Sequence, residues 1–401
     1  MKVITRHLCS LATVGSFSVL IPTLSGQDTA EPKIATETHE TVAPYLSLTI
    51  ESKGNYAKGI AYLKSQQQEE GHWGDPNIPA ITALALTAAL RDPSYDHGQE
   101  LPDWLAKGYK FIRSNQKTDG GIYGKGLATY NTSLSIMALL ALDNEADRDL
   151  IIKARTFLIN QQTDWGNKGE TDDVFDGGIG YGGTYAHSDM SNTYLALEAL
   201  YHSRKLVKNE IGEKHAELDW EGALQFVSRC QNLPETNDQN FVSDDTENKG
   251  GFIYFPGSSK AGESELADGG TALRSYGSMS YAGLLSLIYA DLEEDDPRLE
   301  SVLDWIGRNY TLDENPGLGQ QGLYYYYQTI AKSLAAANVE MLEIEGDKVA
   351  DWRRELTTRL LTSQREDGSW INENSRWWEN DPVLVTSYAL ISLSQLHEIM
   401  Q

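Results

Sequence analysis

One pattern recurs along this chain and limits what it can fold into. A short amphipathic segment ends in Gln, then comes a glycine turn, then an aromatic or aliphatic residue. Residues 58–73 read KGIAYLKSQQQEEGHW, 107–122 read KGYKFIRSNQKTDGGI, and 153–166 read KARTFLINQQTDWG, continuing into DGGIGYGG. Residues 221–231 read EGALQFVSRCQ, followed after a polar insertion by KGGFIYFP, and 357–370 read TTRLLTSQREDGSW. A repeat of this length means stacked supersecondary units rather than one irregular core. Each turn leads into a second segment that is apolar on most faces: TALALTAAL at 82–90, SLSIMALLAL at 133–142, TYLALEALYH at 193–202, YAGLLSLIYADL at 281–292, TIAKSLAAA at 329–337 and TSYALISLSQL at 386–396. A helix apolar all round is packed all round, so these belong inside and the one-sided helices outside. Thr82, Thr193 and Thr386 stand where N-cap hydroxyls are expected. The fifth unit is degenerate: VLDWIGRNY at 302–310 supplies the outer helix, with Tyr310 in place of Gln. The expectation is an all-α chain of six outer and six inner helices. Hairpins of this kind close into a double ring or stack into an open solenoid, and six units without a capping repeat favour closure.

The segment KGIAYLKSQQQEEGHW, with Gln67, Gly71 and Trp73, and DGSW at 367–370 after Gln364, resemble the QW repeats of squalene and terpenoid cyclases. The other units carry Ile122, Ile179 or Phe252 in place of Trp. From about 53 to 398 the chain is similar to the prenyltransferase and squalene oxidase repeat family, and three later segments resemble a secreted bacterial branch of it: SYGSMSYAGLLSLIYAD, NYTLDENPGLGQQGLYYYYQTIAK and RWWENDPVLVTSYAL. The resemblance implies a single α6/α6 toroid over 53–401. Function is a separate question, because one fold hosts many chemistries.

Lys2, Arg6 and His7 precede an apolar stretch broken by Gly15, Ser16, Ser18 and Pro22, which ends at Ser25-Gly26. This reads as a signal peptide over 1–26 and an exported protein, followed by a polar tether over 27–52, with no integral membrane segment after cleavage. The chain carries 33 Lys and Arg against 58 Asp and Glu, a formal charge of −25. That field opposes nucleic acid as a partner. Cleavage would leave Cys230 as the single cysteine, which excludes an intrachain disulfide and a multi-cysteine zinc site.

The family's chemistries make different demands. Triterpene cyclases resembling this chain use a neutral, strongly acidic aspartic acid in a motif DxDD followed by Thr. Val242-Ser243-Asp244-Asp245-Thr246 supplies part of it, so Asp244 and Asp245 are the candidate proton donors, in a motif that is incomplete. The protein prenyltransferases resembling it bind zinc through Asp, Cys and His, and no D-x-C is present. Asp172, Asp173 and Asp176 have the DDxxD spacing of a magnesium claw, but the surrounding glycines argue against the helix such a claw needs. A calcium loop or a solvated acidic loop is the other reading, and no cofactor is otherwise expected.

In a closed ring the glycine turns converge on one mouth. The candidate ligand-binding set is Tyr181, Tyr185, His187, Asp189, Asp268, Arg274, Tyr276, Met279, Tyr324, Tyr325, Tyr326, Tyr327, Arg376, Trp377, Trp378 and Asp381. Aromatic faces suit isoprenoid chains, carbocations and sugar rings alike. Four consecutive tyrosines point around a helix, so at most two face a lumen. The leading expectation is an exported protein that binds or transforms a polyisoprenoid-like apolar molecule. The alternatives are a carbohydrate-binding or carbohydrate-active toroid, with Asp189 and Asp268 as its carboxylate pair, and a non-catalytic scaffold.

Overall fold

The computed structural model describes residues 44–401, apart from 183–186, 213 and 268. The segment read as a signal peptide lies outside the described residues, as does most of the tether. Ordered helix already starts at Leu46, inside the stretch assigned to the tether.

The one-sided segments form α1 (Leu46–Gln66), α3 (Asp103–Ser114), α5 (Arg148–Ile159), α7 (Trp220–Arg229), α9 (Pro297–Asn309) and α11 (Trp352–Ser363). The apolar segments form α2 (Pro79–Leu90), α4 (Ala128–Leu142), α6 (Met190–Ser203), α8 (Gly277–Tyr289), α10 (Leu323–Ala336) and α12 (Pro382–Ile399). Each inner helix packs on the next, and α12 packs on α2, so the inner set closes into a ring. Outer α3 buries one stripe, Leu105, Gly108, Tyr109 and Ile112, whereas every residue of inner α2 is buried.

The repeated glutamine fastens one unit to the next. Gln67 Nε2 donates to the carbonyls of Gly71 and of Trp104 in α3, both at 2.8 Å. Gln116, Gln162 and Gln231 make the same pair of bonds to their own glycine turn and to the following outer helix or its cap. Gln364 donates to Gly368 at 2.9 Å and to Asn55 of α1 at 2.8 Å, so the sixth unit is joined to the first. Tyr310 takes the place of Gln in the fifth unit, and its hydroxyl reaches Glu355 of α11 at 3.0 Å. The glycine is equally constrained. Gly71 has φ +94°, and a Cβ there would sit 2.6 Å from the Lys107 carbonyl. At the closing joint Gly368 has φ +88° and abuts the Lys58 carbonyl in the same way.

The threonines expected as N-caps have another task. Thr82, Thr193 and Thr386 lie inside α2, α6 and α12, and their hydroxyls accept the backbone N–H of Trp73, Ile179 and Trp370 at 2.9–3.0 Å. Thr132 and Ser280 do the same for Ile122 and Phe252. The hydroxyl satisfies the one buried donor that the turn leaves behind. The first turn of each inner helix therefore begins three to six residues before the apolar run that marks it in the sequence. Two short antiparallel hairpins, β1 (Glu263–Glu265) with β2 (Thr271–Leu273) and β3 (Leu342–Ile344) with β4 (Lys348–Ala350), add minor strand content to an otherwise α-helical fold.

Candidate functional site

The N-termini of the inner helices meet at one mouth, and each is satisfied largely by the following unit. Asn131 of α4 accepts the Ala80 N–H at the start of α2. The carbonyls of Tyr181, Tyr254 and Pro316 accept from Thr129 in α4, Met190 in α6 and Gly277 in α8. Glu379 accepts the N–H groups of Tyr324 and Tyr325 at 3.2 and 2.8 Å, capping α10. These long-range caps leave no local signature in the sequence.

Asp189 caps α6, and burial raises its pKa as it does that of Glu379. Asp189 is completely buried. Oδ1 accepts the Asn192 N–H at 2.9 Å, Oδ2 accepts Asn192 Nδ2 at 2.8 Å, and the Tyr254 hydroxyl is close enough to act on it electrostatically. Burial pushes its pKa up to about 6 against the pull of these hydrogen bonds and of His187. Tyr181, Tyr254, Tyr276 and Tyr325 are all within electrostatic reach of one another or of Asp189, and burial raises the pKa of Tyr254, Tyr276 and Tyr325.

Two polar ties cross the ring. Tyr130 of α4 and Tyr388 of α12 share a hydroxyl–hydroxyl bond at 3.2 Å, although α2 separates their helices. Burial pushes the Tyr130 hydroxyl up to about 12. The Tyr325 ring packs edge-on to Tyr388, with centroids 6.1 Å apart. Deeper in, Lys332 of α10 donates to both oxygens of Glu198 of α6 at 2.8 and 3.0 Å, across the width taken by α8. Glu198 lies nine residues beyond Asp189, roughly 13 Å along the helix axis. Tyr325, Gln328 and Lys332 form one inward stripe on α10, and Ser191, Tyr194, Glu198 and His202 form another on α6.

Three buried polar atoms around this aromatic cup have no hydrogen-bond partner: Asn192 Oδ1, the Tyr325 hydroxyl and Gln328 Nε2. The Tyr325 hydroxyl faces Ser191 without reaching bonding geometry. Tyr130, Ser191 and Tyr325 each keep part of their surface accessible, although burial dominates the electrostatics of both tyrosines.

The sequence-derived set divides clearly. Tyr181, His187, Asp189 and Tyr276 come together at the mouth, with Met279 buried in the first turn of α8. Of the four tyrosines Tyr325 alone faces the cup. Tyr326 and Tyr327 donate to the carbonyls of Thr311 and Leu312, and Tyr324 packs against Tyr327. Arg376, Trp377 and Trp378 form an exposed lip, the two tryptophans at φ +56° and +63°, with the Arg376 guanidinium over the Trp377 ring. Asp381 accepts the Val383 N–H and caps α12. Arg274 is exposed. Tyr185 and Asp268 lie outside the described residues, so the Asp189–Asp268 pair has no geometry to report.

Asp244 and Asp245 are placed away from the ring interior. Asp244 is exposed and paired with Lys249 at 2.7 Å. Asp245 accepts the N–H groups of Glu247 and Asn248 and shapes a turn against α9, where the Trp305 Nε1 donates to the Glu247 carbonyl. The structure therefore does not bring these two carboxyls together with the residues of the inner-helix mouth. In the DDxxD loop Asp176 is buried and accepts from the Trp165 and Asp173 backbone, Asp173 from Phe175, and Asp172 from Asn167. These carboxylates hold a turn together, and no helix carries them. Among the described residues no three His, Cys, Asp or Glu side chains are grouped to hold a metal ion. Cys230 is buried, and its thiol is pushed up by that burial, the reverse of what zinc–thiolate chemistry requires.

Tyr130, Tyr388, Tyr254, Glu198 and Lys332 were not among the expected site residues. The signal available was a polar or aromatic residue at helical spacing on an otherwise apolar inner helix. A second signal lay in Asp189-Met190-Ser191-Asn192-Thr193. It keeps the first Asp and the Thr of DxDD-Thr, with Ser and Asn at the two positions between.

Residues 75–218 match the squalene-hopene cyclase C-terminal domain. No curated protein matches the chain. Among solved structures it is similar to the type II terpene cyclase MstE from Scytonema. A variant of that enzyme with geranylgeranyl dihydroxybenzoate as substrate superposes with a TM-score of 0.51 at 11% identity, covering 89% of this chain and 100% of that one. A variant with merosterolic acid A as product gives 0.51 at 13%, covering 89% and 99%. An apo variant gives 0.51 at 12%, covering 89% and 99%. At such identities the likeness is one of fold. No helix among the described residues is long and apolar enough to cross a membrane. The chain is thus similar to the squalene-hopene cyclase C-terminal domain over residues 75–218 and to the type II terpene cyclases in fold.

Proposed function

We propose that the mouth of the ring binds a polyisoprenoid-like apolar molecule and that Asp189 is the proton donor to it. The observation that carries this reading is a fully buried carboxyl that holds its proton to about pH 6, set among tyrosines at the rim of a closed helical ring. A neutral carboxyl can give up a proton, and the carboxylate left behind is stabilised by the two bonds from Asn192. The faces of Tyr130, Tyr325 and Tyr388 supply electron density to a developing cation. The three unpartnered polar atoms at the cup are donors and an acceptor left for a ligand or for water.

The acidity selects the substrate. A carboxyl with a raised pKa is a weaker acid than an ordinary one, so it suits an epoxide oxygen better than a bare alkene. The proton passes from Asp189 to the epoxide oxygen, the C–O bond breaks toward that oxygen, and the π electrons of the neighbouring double bond fill the vacated carbon. The final cation loses a proton to water, and the Asp189 carboxylate takes a proton back from solvent, so the net reaction is an isomerisation. Ser191 and Asn192 provide no second carboxylate to assist.

The test is turnover of farnesol epoxidised at its terminal double bond, read by mass spectrometry of extracted products. Asp189→Asn keeps a good N-cap residue but has no acidic proton. The reading expects cyclised product from the native chain, a rate that falls as pH rises past about 6, and none from Asp189→Asn with binding retained. Equal turnover by both proteins would refute it. Export rests on residues 1–26 and is a further part of the proposal, tested by the N-terminal residue of the mature protein.

A further inference from the structure

We infer that the opposite end of the ring holds a second binding site, one for the anionic head group of an amphipathic ligand, built on Arg91 beside His202 and the Lys332–Glu198 pair. Three of the inner helices bring cationic or protonatable groups here. Arg91 follows the last residue of α2, Lys332 is in the third turn of α10, and His202 is in the last turn of α6. Tyr289 of α8, on the far side of the ring from α2, is within electrostatic reach of Arg91, as are Glu198 and Lys332. Arg91 therefore belongs to the same charged neighbourhood at this end of the ring as Glu198, Lys332 and Tyr289.

The balance of charge favours an anion. Glu198 is buried and already bonded twice by Lys332, with the Tyr194 hydroxyl 3.4 Å from the same Nζ. That leaves one guanidinium, half-buried, with no side-chain hydrogen bond to any described residue. Asp92, the nearest acid in sequence, is occupied by its own turn and accepts the Ser94 N–H. A half-buried guanidinium offers a planar fork of donors that matches a carboxylate or phosphate. Tyr201, His202 and Tyr289 stack within 5.0–5.7 Å of one another beside it and give the site an aromatic wall.

This inference rests on the isoprenoid reading only for the tail of the ligand; the head-group site stands on Arg91 alone. The geometry then implies a molecule that spans the ring, its head at Arg91 and its far end beneath Asp189. Calorimetric titrations of the full chain with farnesoic acid, with farnesol and with benzoate test both parts separately. The site predicts that farnesoate binds at least about tenfold tighter than farnesol. Arg91→Gln should abolish the difference and Arg91→Lys should restore part of it. Benzoate alone should bind the native chain and not Arg91→Gln. Equal affinity for acid and alcohol, a preference that survives Arg91→Gln, or binding of neither farnesoate nor benzoate overturns the site. Binding of benzoate without farnesol would instead leave the site standing and remove the isoprenoid reading.

Discussion

Replacing Lys332 with Met removes the one cation within hydrogen-bonding distance of Glu198 among the described residues. Glu198 is 2% exposed, and the Lys332 side chain is 10% exposed. Burial pulls the Glu198 pKa up, but Lys332, with His202 and Arg91, outweighs it and leaves the group below its ordinary value. Breaking a buried pair on one side costs about 3–5 kcal/mol, because a charge is left in the interior without a partner. The sign of the pH dependence should also reverse. In the native chain Glu198 has a depressed pKa, so its contribution is present above the unfolded value and is lost as pH falls through the folded one. In Lys332→Met burial dominates, the pKa is raised, and the variant should recover stability relative to the native chain as pH falls from 8 to about 5. The double variant Lys332→Met, Glu198→Met should return most of the loss. Urea unfolding followed by tryptophan fluorescence at both pH values measures all of this. A cost under about 1 kcal/mol for Lys332→Met, with no gain from the second substitution, would refute the pair. It would also refute the closed ring that brings α6 and α10 face to face.

Other outcomes follow from the same geometry. Asp189 has a raised pKa, so it favours the folded state below its unfolded value near 4 and progressively loses that contribution as pH rises through about 6. Asp189→Asn should therefore be more stable than the native chain at pH 8, by on the order of 2–3 kcal/mol, in thermal or urea unfolding. Trp370→Ala removes a fully buried indole whose Nε1 donates to the Leu360 carbonyl at 2.8 Å, and should cost about 3–5 kcal/mol. Gln364→Ala cuts the joint between the last and first units and should cost more than an exposed substitution, about 1–3 kcal/mol by the same assay. Asp244→Asn should leave ligand binding and turnover unchanged, because the residue is exposed and held only by Lys249.

The repeat made the architecture readable. Six outer and six inner helices stand where the alternation of one-sided and all-apolar segments put them, and even the substitution of Tyr310 for Gln marked a working joint. What failed to show was whatever depends on a neighbour distant in sequence. Inner helices begin earlier than their apolar runs because Asn131 and Glu379, from following units, cap them. The threonines looked like caps because a hydroxyl near a helix start usually is one, whereas here Thr82, Thr193 and Thr386 answer turn N–H groups 9, 14 and 16 residues earlier in the chain. The sequence pointed to Asp244-Asp245-Thr246, where the letters of the motif lie, and the structure places Asp244 in the open beside Lys249. Spacing alone does not report burial, and Asp189 gains its raised pKa from a site assembled by several units. Tyr130, Tyr388, Glu198 and Lys332 meet only across a closed ring, so nothing local announces them.

Carbon-13 labelling of aspartate carboxyls and an NMR titration from pH 3 to 8 puts the proposed acid to the most direct trial. One carboxyl resonance should titrate near pH 6 and be missing from the spectrum of Asp189→Asn. A spectrum in which every aspartate titrates in the ordinary range near 4, with nothing lost near 6 on substitution, would contradict a proton held at the mouth of the ring.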